Sequence, residues 1–132
     1  MPRSSIVAVA LLAAALCACG RAGDRQTVGA IAVQFYAAVD RHDGVRACTL
    51  LSADTRKALE EQESEPCEKA VAHLDLTGGP VGSVGVYSTE AAVELRGGDT
   101  VFLQDTKEGW RSAAAGCRPS GLEEPADCEL EA

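Results

Sequence analysis

Four cysteines, Cys48, Cys67, Cys117 and Cys128, stand in a chain with almost nothing aromatic to build a core from: its 132 residues include one Trp, two Tyr and two Phe. A core drawn from Ala, Val and Leu is thin, and small domains with thin cores are generally stapled. An even set of cysteines in an oxidising compartment reads as two disulfides. Four cysteines allow three connectivities, among which proximity in sequence favours Cys48 with Cys67 and Cys117 with Cys128. Each closed loop would stabilise the fold by roughly 3 kcal/mol. The spacings lack the close CxxC pairs that zinc sites use, so no metal is expected there.

The remaining two cysteines lie in a different kind of segment. Arg3 gives a short charged start, 6–16 is an apolar run, and small residues follow, the three-part pattern of an exported precursor. The run falls short of the roughly 20 residues that a helix needs to cross a bilayer core, so a permanent span is not expected. Leu16, Cys17 and Ala18 ahead of Cys19 resemble the lipobox of bacterial lipoproteins. That resemblance implies removal of residues 1–18, a diacylglyceryl thioether on Cys19 and an amide-linked acyl chain such as palmitate. Two or three chains anchor stably where one is marginal. The competing reading is a plain secreted protein cut near Ala18 or Gly20, with Cys19 an ordinary thiol.

Loss of residues 1–18 removes one positive charge, Arg3, and no acid, taking the formal balance from −8 to −9. Such a surface excludes nucleic acid as a natural partner and gives no electrostatic adhesion to anionic lipid. The acyl chains alone would hold the protein to the bilayer. The mature 132 − 18 = 114 residues suit one domain and not two.

Residues 19–27 have no apolar period and read as a short lipidated tether, which keeps the domain, 28–132, near the membrane. Val28, Ile31, Ala32, Phe35, Tyr36 and Val39 then form one stripe of a helix, with Asp24 or Thr27 available to cap its start. The turn Arg41-His42-Asp43-Gly44 ends it. Asp43 is placed to cap a second helix through Val45, Cys48 and Leu51, Ser52 a third through Leu59, and Ser64, with Pro66 in the first turn, a fourth through Val71 and Leu74. After Thr77-Gly78-Gly79-Pro80 the period falls to two, predicting four strands over 81–88, 91–96, 101–105 and 110–116. The tail after Cys117 has no period. Helices followed by an antiparallel meander make an α+β order, with helices covering one face of a sheet of about four strands.

Several stretches carry a family likeness: Phe35-Tyr36 with Asp40, Asp43-Gly44, Ala47-Cys48-Thr49-Leu50-Leu51-Ser52, Gly109-Trp110-Arg111, Ala114-Ala115-Gly116-Cys117 and Pro125-Ala126-Asp127-Cys128. Together they resemble small NTF2-like (SnoaL-like) lipoproteins of high-GC Gram-positive bacteria, over most of 28–128. The resemblance implies a cone-shaped α+β domain and an extracytoplasmic address, and no particular chemistry. Enzymes of the wider superfamily place an acid, a base and a tyrosine inside the cone. The candidates here are Tyr36, Asp40 and Tyr87, followed by His73 and Asp105, with His42 in a polar turn. No spacing forces any two together. Tyr36 and Trp110 are more simply core residues, and His73 a helix-end or surface residue.

Glu60, Glu61, Glu63, Glu65 and Glu68 lack the Asp and Gly alternation of a calcium loop and read as a solvated helix face. There is no GxGxxG, Walker, GxSxG or HExxH motif, and no cofactor is expected. The expectation is therefore a membrane-anchored extracytoplasmic lipoprotein whose domain binds or supports rather than catalyses. Its expected partners are the bilayer through acylated Cys19 and a small apolar ligand or envelope protein. The alternative is an NTF2-like isomerase or lyase acting on a small apolar substrate in the cone.

Overall fold

The apolar stripe from Val28 to Val39 lies on a helix, as its spacing requires, but that helix is much longer than the stripe. The structure, a computed structural model, describes residues 3–118 and 127–132, with side chains from residue 22 onward. Helix α1 runs Arg3–Asp40 without interruption. Neither Asp24 nor Thr27 caps it, and the Thr27 hydroxyl instead bonds back to Gly23 O at 2.9 Å. Residues 19–27, expected to be irregular, are helical because propagation from an existing helix fixes one residue per added bond and no proline interrupts the run. The side chains of Cys17 and Cys19, and residues 119–126, lie outside the described residues. Among the described residues no helix is long and apolar enough to cross a membrane.

The turn after α1 is closed by His42 in the left-handed region and by Asp43 N–H donating to Ala38 O. Asp43 then caps α2, Gly44–Thr49, by accepting from Arg46 N–H. Ser52 caps α3, Ala53–Glu63, by accepting from Thr55 N–H. Ser64 does not start the next helix. It ends α3 in the left-handed conformation, and the following helix is short, α4 at Cys67–Ala70, continuing as a 3₁₀ turn, Val71–His73. Pro66, the N-cap, offers no side-chain bond to the first turn, and the helix tightens to 3₁₀ before Leu74 turns extended.

Five antiparallel strands follow in meander order: β1 Val81–Tyr87, β2 Glu90–Leu95, β3 Thr100–Thr106, β4 Gly109–Arg118 and β5 Asp127–Glu131. The first four match the period-two segments. The fifth was expected as an aperiodic tail, and it forms because Cys117 and Cys128 face each other in register while Leu130, opposite Ala115, enters the core. Asp127, Glu129 and Glu131 point outward, so a period of two is present but masked by acids.

Leu51 forms a parallel bridge to Ser112, and Ser52 N–H and Ser112 N–H exchange bonds with Ser112 O and Leu50 O. The linker between α2 and α3 thus occupies the edge of β4 that β5 leaves open. Thr55 donates to Ala113 O at the adjoining irregularity in the β3–β4 pairing. Helices cover one face of the sheet, where Val28, Phe35, Leu59, Val71, Val93, Val101, Leu103 and Leu130 are fully buried. The opposite face carries Glu94, Thr100, Phe102 and Gln104.

Two disulfides tie these layers, Cys48–Cys67 between α2 and α4 and Cys117–Cys128 between β4 and β5. They are the pairs that proximity favours. The Cys48–Cys67 bridge spans 6.1 Å between Cα atoms and sits in the core. Replacing Cys48 and Cys67 together by alanine is expected to lower unfolding free energy by about 3 kcal/mol. Urea titration of the oxidised and variant proteins checks this, and an unchanged midpoint would contradict it.

Candidate functional site

The sequence places one tyrosine in the apolar stripe of α1, and the fold gives its hydroxyl a buried partner far along the chain. Tyr36 Oη donates to Asp99 Oδ2 at 2.9 Å and accepts from Gly116 N–H at 2.9 Å. Asp99 is fully buried in the turn between β2 and β3. Its Oδ2 also accepts from Thr77 N–H at 2.8 Å, and its Oδ1 from Arg118 Nε at 2.9 Å. Arg118 extends the network to Asp75 O and Thr77 Oγ1 through Nη2. Both carboxylate oxygens are engaged, as a buried charge requires.

Two glycines permit this geometry. Gly116 has φ +64°, and a Cβ there would stand 2.8 Å from Glu129 Cβ. A Cβ on Gly78 would stand 2.8 Å from Tyr36 Cδ1. The first opens the backbone of β4 so that its N–H reaches the phenol, and the second lets the loop before β1 lie flat on the ring.

Burial, reinforced by the nearby Asp99 carboxylate, pushes the Tyr36 phenol well above its ordinary 10.0, although the Gly116 N–H bond and the Arg118 charge pull the other way. The hydrogen bond to Asp99, and then its charge, raise Arg118 further above its already high value. The cluster therefore consists of a neutral phenol, a carboxylate and a guanidinium, joining α1, the 74–80 loop, the β2–β3 turn and the end of β4.

The other candidates lie elsewhere. Asp40, four residues after Tyr36, does not receive its hydroxyl and is exposed at the end of α1. Tyr87 is 69 % exposed at the end of β1. Tyr36, Asp40 and Tyr87 are thus not assembled around a common space. Asp105 and His42 are exposed, and His73 is exposed with Nε2 2.9 Å from Glu65 Oε2. Trp110 is buried and its Nε1–H reaches Asp24 Oδ1 at 3.4 Å, pinning β4 to α1. Of the acidic residues, Glu60 and Glu68 both pair with Arg56, and Glu61 pairs with Lys57. Asp99 was not singled out from sequence, where Gly97-Gly98-Asp99 reads simply as a hairpin turn. Burial is invisible in a turn motif, and Arg118 falls in the stretch after Cys117 that reads as an aperiodic tail.

Two further features bear on binding. Ser112, fully buried on the helix-facing side of β4, has a hydroxyl with no hydrogen-bond partner among the described residues. On the opposite side of the sheet a groove of about 400 Å³ runs along Phe102, Ala114 and Cys128, rimmed by Glu90, Gln104 and Glu131. Phe102 is 39 % exposed, and its cross-strand neighbours Ala92 and Ala114 are small, which leaves the ring edge accessible.

Replacing Asp99 by alanine strands the Tyr36 hydroxyl and the Thr77 N–H, and about 3 kcal/mol of stability should be lost. A phenol raised in the fold stabilises fully below its unfolded value. That stability is lost as pH climbs past 10, where the unfolded chain ionises and the folded one does not. Urea unfolding of Tyr36→Phe should accordingly lose less stability between about pH 9 and about pH 11 than the native protein. Ser112→Ala, which removes an unpartnered hydroxyl, should be neutral or stabilise by up to about 1 kcal/mol in the same assay. Comparison of the chain with protein-family models, with curated proteins and with solved structures finds no match.

Proposed function

We propose that the protein is a lipid-anchored extracytoplasmic lipoprotein whose single domain binds a ligand or envelope partner and carries out no chemistry of its own. The observation that carries this reading is the pair of disulfides, since stable disulfides belong to oxidising compartments outside the cytosol. The Leu16-Cys17-Ala18-Cys19 sequence supplies the anchor in that compartment. The groove beside Phe102, apolar along its floor and polar at its rim, has the size of a small-molecule site and is the surface assigned to a small apolar ligand.

A relation to NTF2-like lipoproteins is supported by the order of elements, a long first helix, short helices, then an antiparallel meander. The space between α1 and the sheet, where an NTF2-like enzyme would hold substrate, is occupied by Phe35, Val93, Val101 and Leu103. That filling favours ligand capture at the surface over catalysis inside.

Replacement of Cys19 by alanine is expected to move the protein out of the membrane fraction. The native protein, extracted with detergent and thiol-alkylated, should weigh as the chain from Cys19 plus acyl groups, with no alkylation at Cys48, Cys67, Cys117 or Cys128. Unchanged membrane association of the variant, or a native mass without acyl groups, would refute the anchor.

A further inference from the structure

The anchor reading fixes where the chain meets the bilayer, and α1 then fixes which part of the domain comes with it. Cys19 belongs to the same uninterrupted helix as the core residues Val28, Phe35 and Tyr36. Asp24 lies five residues beyond Cys19, about 7.5 Å along the axis. β1 runs antiparallel to this helix. A Cβ on Gly29 would touch Val81 and Val84, whereas Val86 and Ser88 line the same pocket as Asp24 and Arg25. The turn between β3 and β4 arrives at the same end, because Trp110 Nε1–H bonds Asp24. The Asp99 cluster and the β2–β3 turn lie at the other end, beside Tyr36.

Headgroups occupy about 5–8 Å on each side of the hydrocarbon core. The level of Asp24 and the β1–β2 turn therefore coincides with the outer edge of that layer once acyl chains hold Cys19 in the membrane. The turn is suited to it chemically. In an acidic chain, residues 76–89 carry no charge at all, so the turn brings no ionic group of its own toward lipid phosphate, while Asp24, Arg25, Glu90 and the Lys107-Glu108 turn stay exposed around it. Tyr87, the residue before the turn, is 69 % exposed, and its ring leans back along the strand over Gly85, where a Cβ would lie 2.6 Å from the hydroxyl. An exposed tyrosine with an apolar ring and a polar tip is the residue type that settles at a membrane–water interface.

From this juxtaposition we infer that the uncharged β1–β2 turn, with Tyr87 at its base, is a lipid-facing surface that rests in the headgroup layer and orients the domain. The inference rests on the lipid-anchor reading of Cys19. Its occupant is the bilayer that holds the anchor, and its energy comes from the Tyr87 ring and from proximity, not from charge. The helical link between Cys19 and Val28 makes the orientation definite, where a flexible tether would leave the domain free to tumble. The end bearing the Asp99 cluster and the α1–α2 turn consequently faces away from the membrane.

The test places tryptophan at each end of the full-length lipidated protein in phosphatidylcholine vesicles containing lipids brominated near the headgroup. Tyr87→Trp reports the proposed surface, and Val45→Trp, 65 % exposed at the start of α2, reports the far end. Emission from native Trp110 in the unsubstituted protein gives the baseline. Bromolipid should quench the Tyr87→Trp signal several-fold more than the Val45→Trp signal. Thr89→Trp, exposed in the same turn, serves as a second reporter and should follow Tyr87→Trp. Equal quenching at the two ends, or stronger quenching of Val45→Trp, in protein that floats with the vesicles and carries acyl mass would overturn the orientation while leaving the anchor intact. Failure to float, with no acyl mass, would overturn both.

Discussion

A buried carboxylate with both of its oxygens engaged holds this fold in register. Asp99 sits in a turn, where an acid would ordinarily be solvated, yet it is wholly enclosed and accepts from Tyr36, Thr77 and Arg118. Each donor comes from a different element, so the carboxylate relates α1, the loop entering the sheet and the last residue of β4 at one point. Aliphatic packing is non-directional and cannot do this. Ala, Val and Leu fill the layer between α1 and the sheet, but shape alone would tolerate a helix shifted by a turn or a strand slipped by two. A short chain of directional bonds removes those alternatives.

The two disulfides act on what the polar cluster does not reach. Cys48–Cys67 joins two short helices of six and four residues, each too short to persist alone, and gives them a common support. Cys117–Cys128 brings back a strand only five residues long whose one buried aliphatic residue is Leu130. In both cases the cross-link holds an element too short to keep its place by itself. Polar cluster and disulfides are therefore complementary: one sets the register of the large elements, the other retains the small ones.

Much of this was legible in the sequence because it rests on local chemistry. Asp43 and Ser52 are caps that precede their helices by one residue, and both act as such. The period-two segments became β1 to β4, and proximity chose the right cysteine pairs. What was missed depends on distant partners. Ser64 reads equally well as the start of a helix or the end of one, and competition with α3 decided it. β5 has one aliphatic residue and three acids, too few apolar positions for a pattern, and only the opposed Cys117 shows why it pairs. Asp99 is the clearest case. Its neighbours announce a glycine turn, and nothing within four residues announces that Tyr36, Thr77 and Arg118 will converge on it. Tyr36 was expected as a core residue, and its hydroxyl finds its partner 63 residues away.

The same cluster bears on what the domain does with its tyrosine and acid. A phenol beside a carboxylate is also how a proton-transfer site is built, so the residue types alone do not separate the two roles. Their occupancy does distinguish them. The Tyr36 hydroxyl has one proton to give, given to Asp99, and its accepting side faces the Gly116 N–H. A substrate would have to displace these bonds and leave buried backbone and carboxylate groups unpaired, a penalty of about 1–3 kcal/mol for each group. General acid–base groups need the opposite arrangement, a tuned pKa with a hydrogen-bonding direction left open toward the reactant. Here the pKa of the phenol is pushed further above neutral pH, which holds it in its uncharged, protonated form, and the group is enclosed. Those are the properties of a clamp, and they turn the search for a binding surface outward, to the face of the sheet that carries Phe102 and the turn that follows Tyr87.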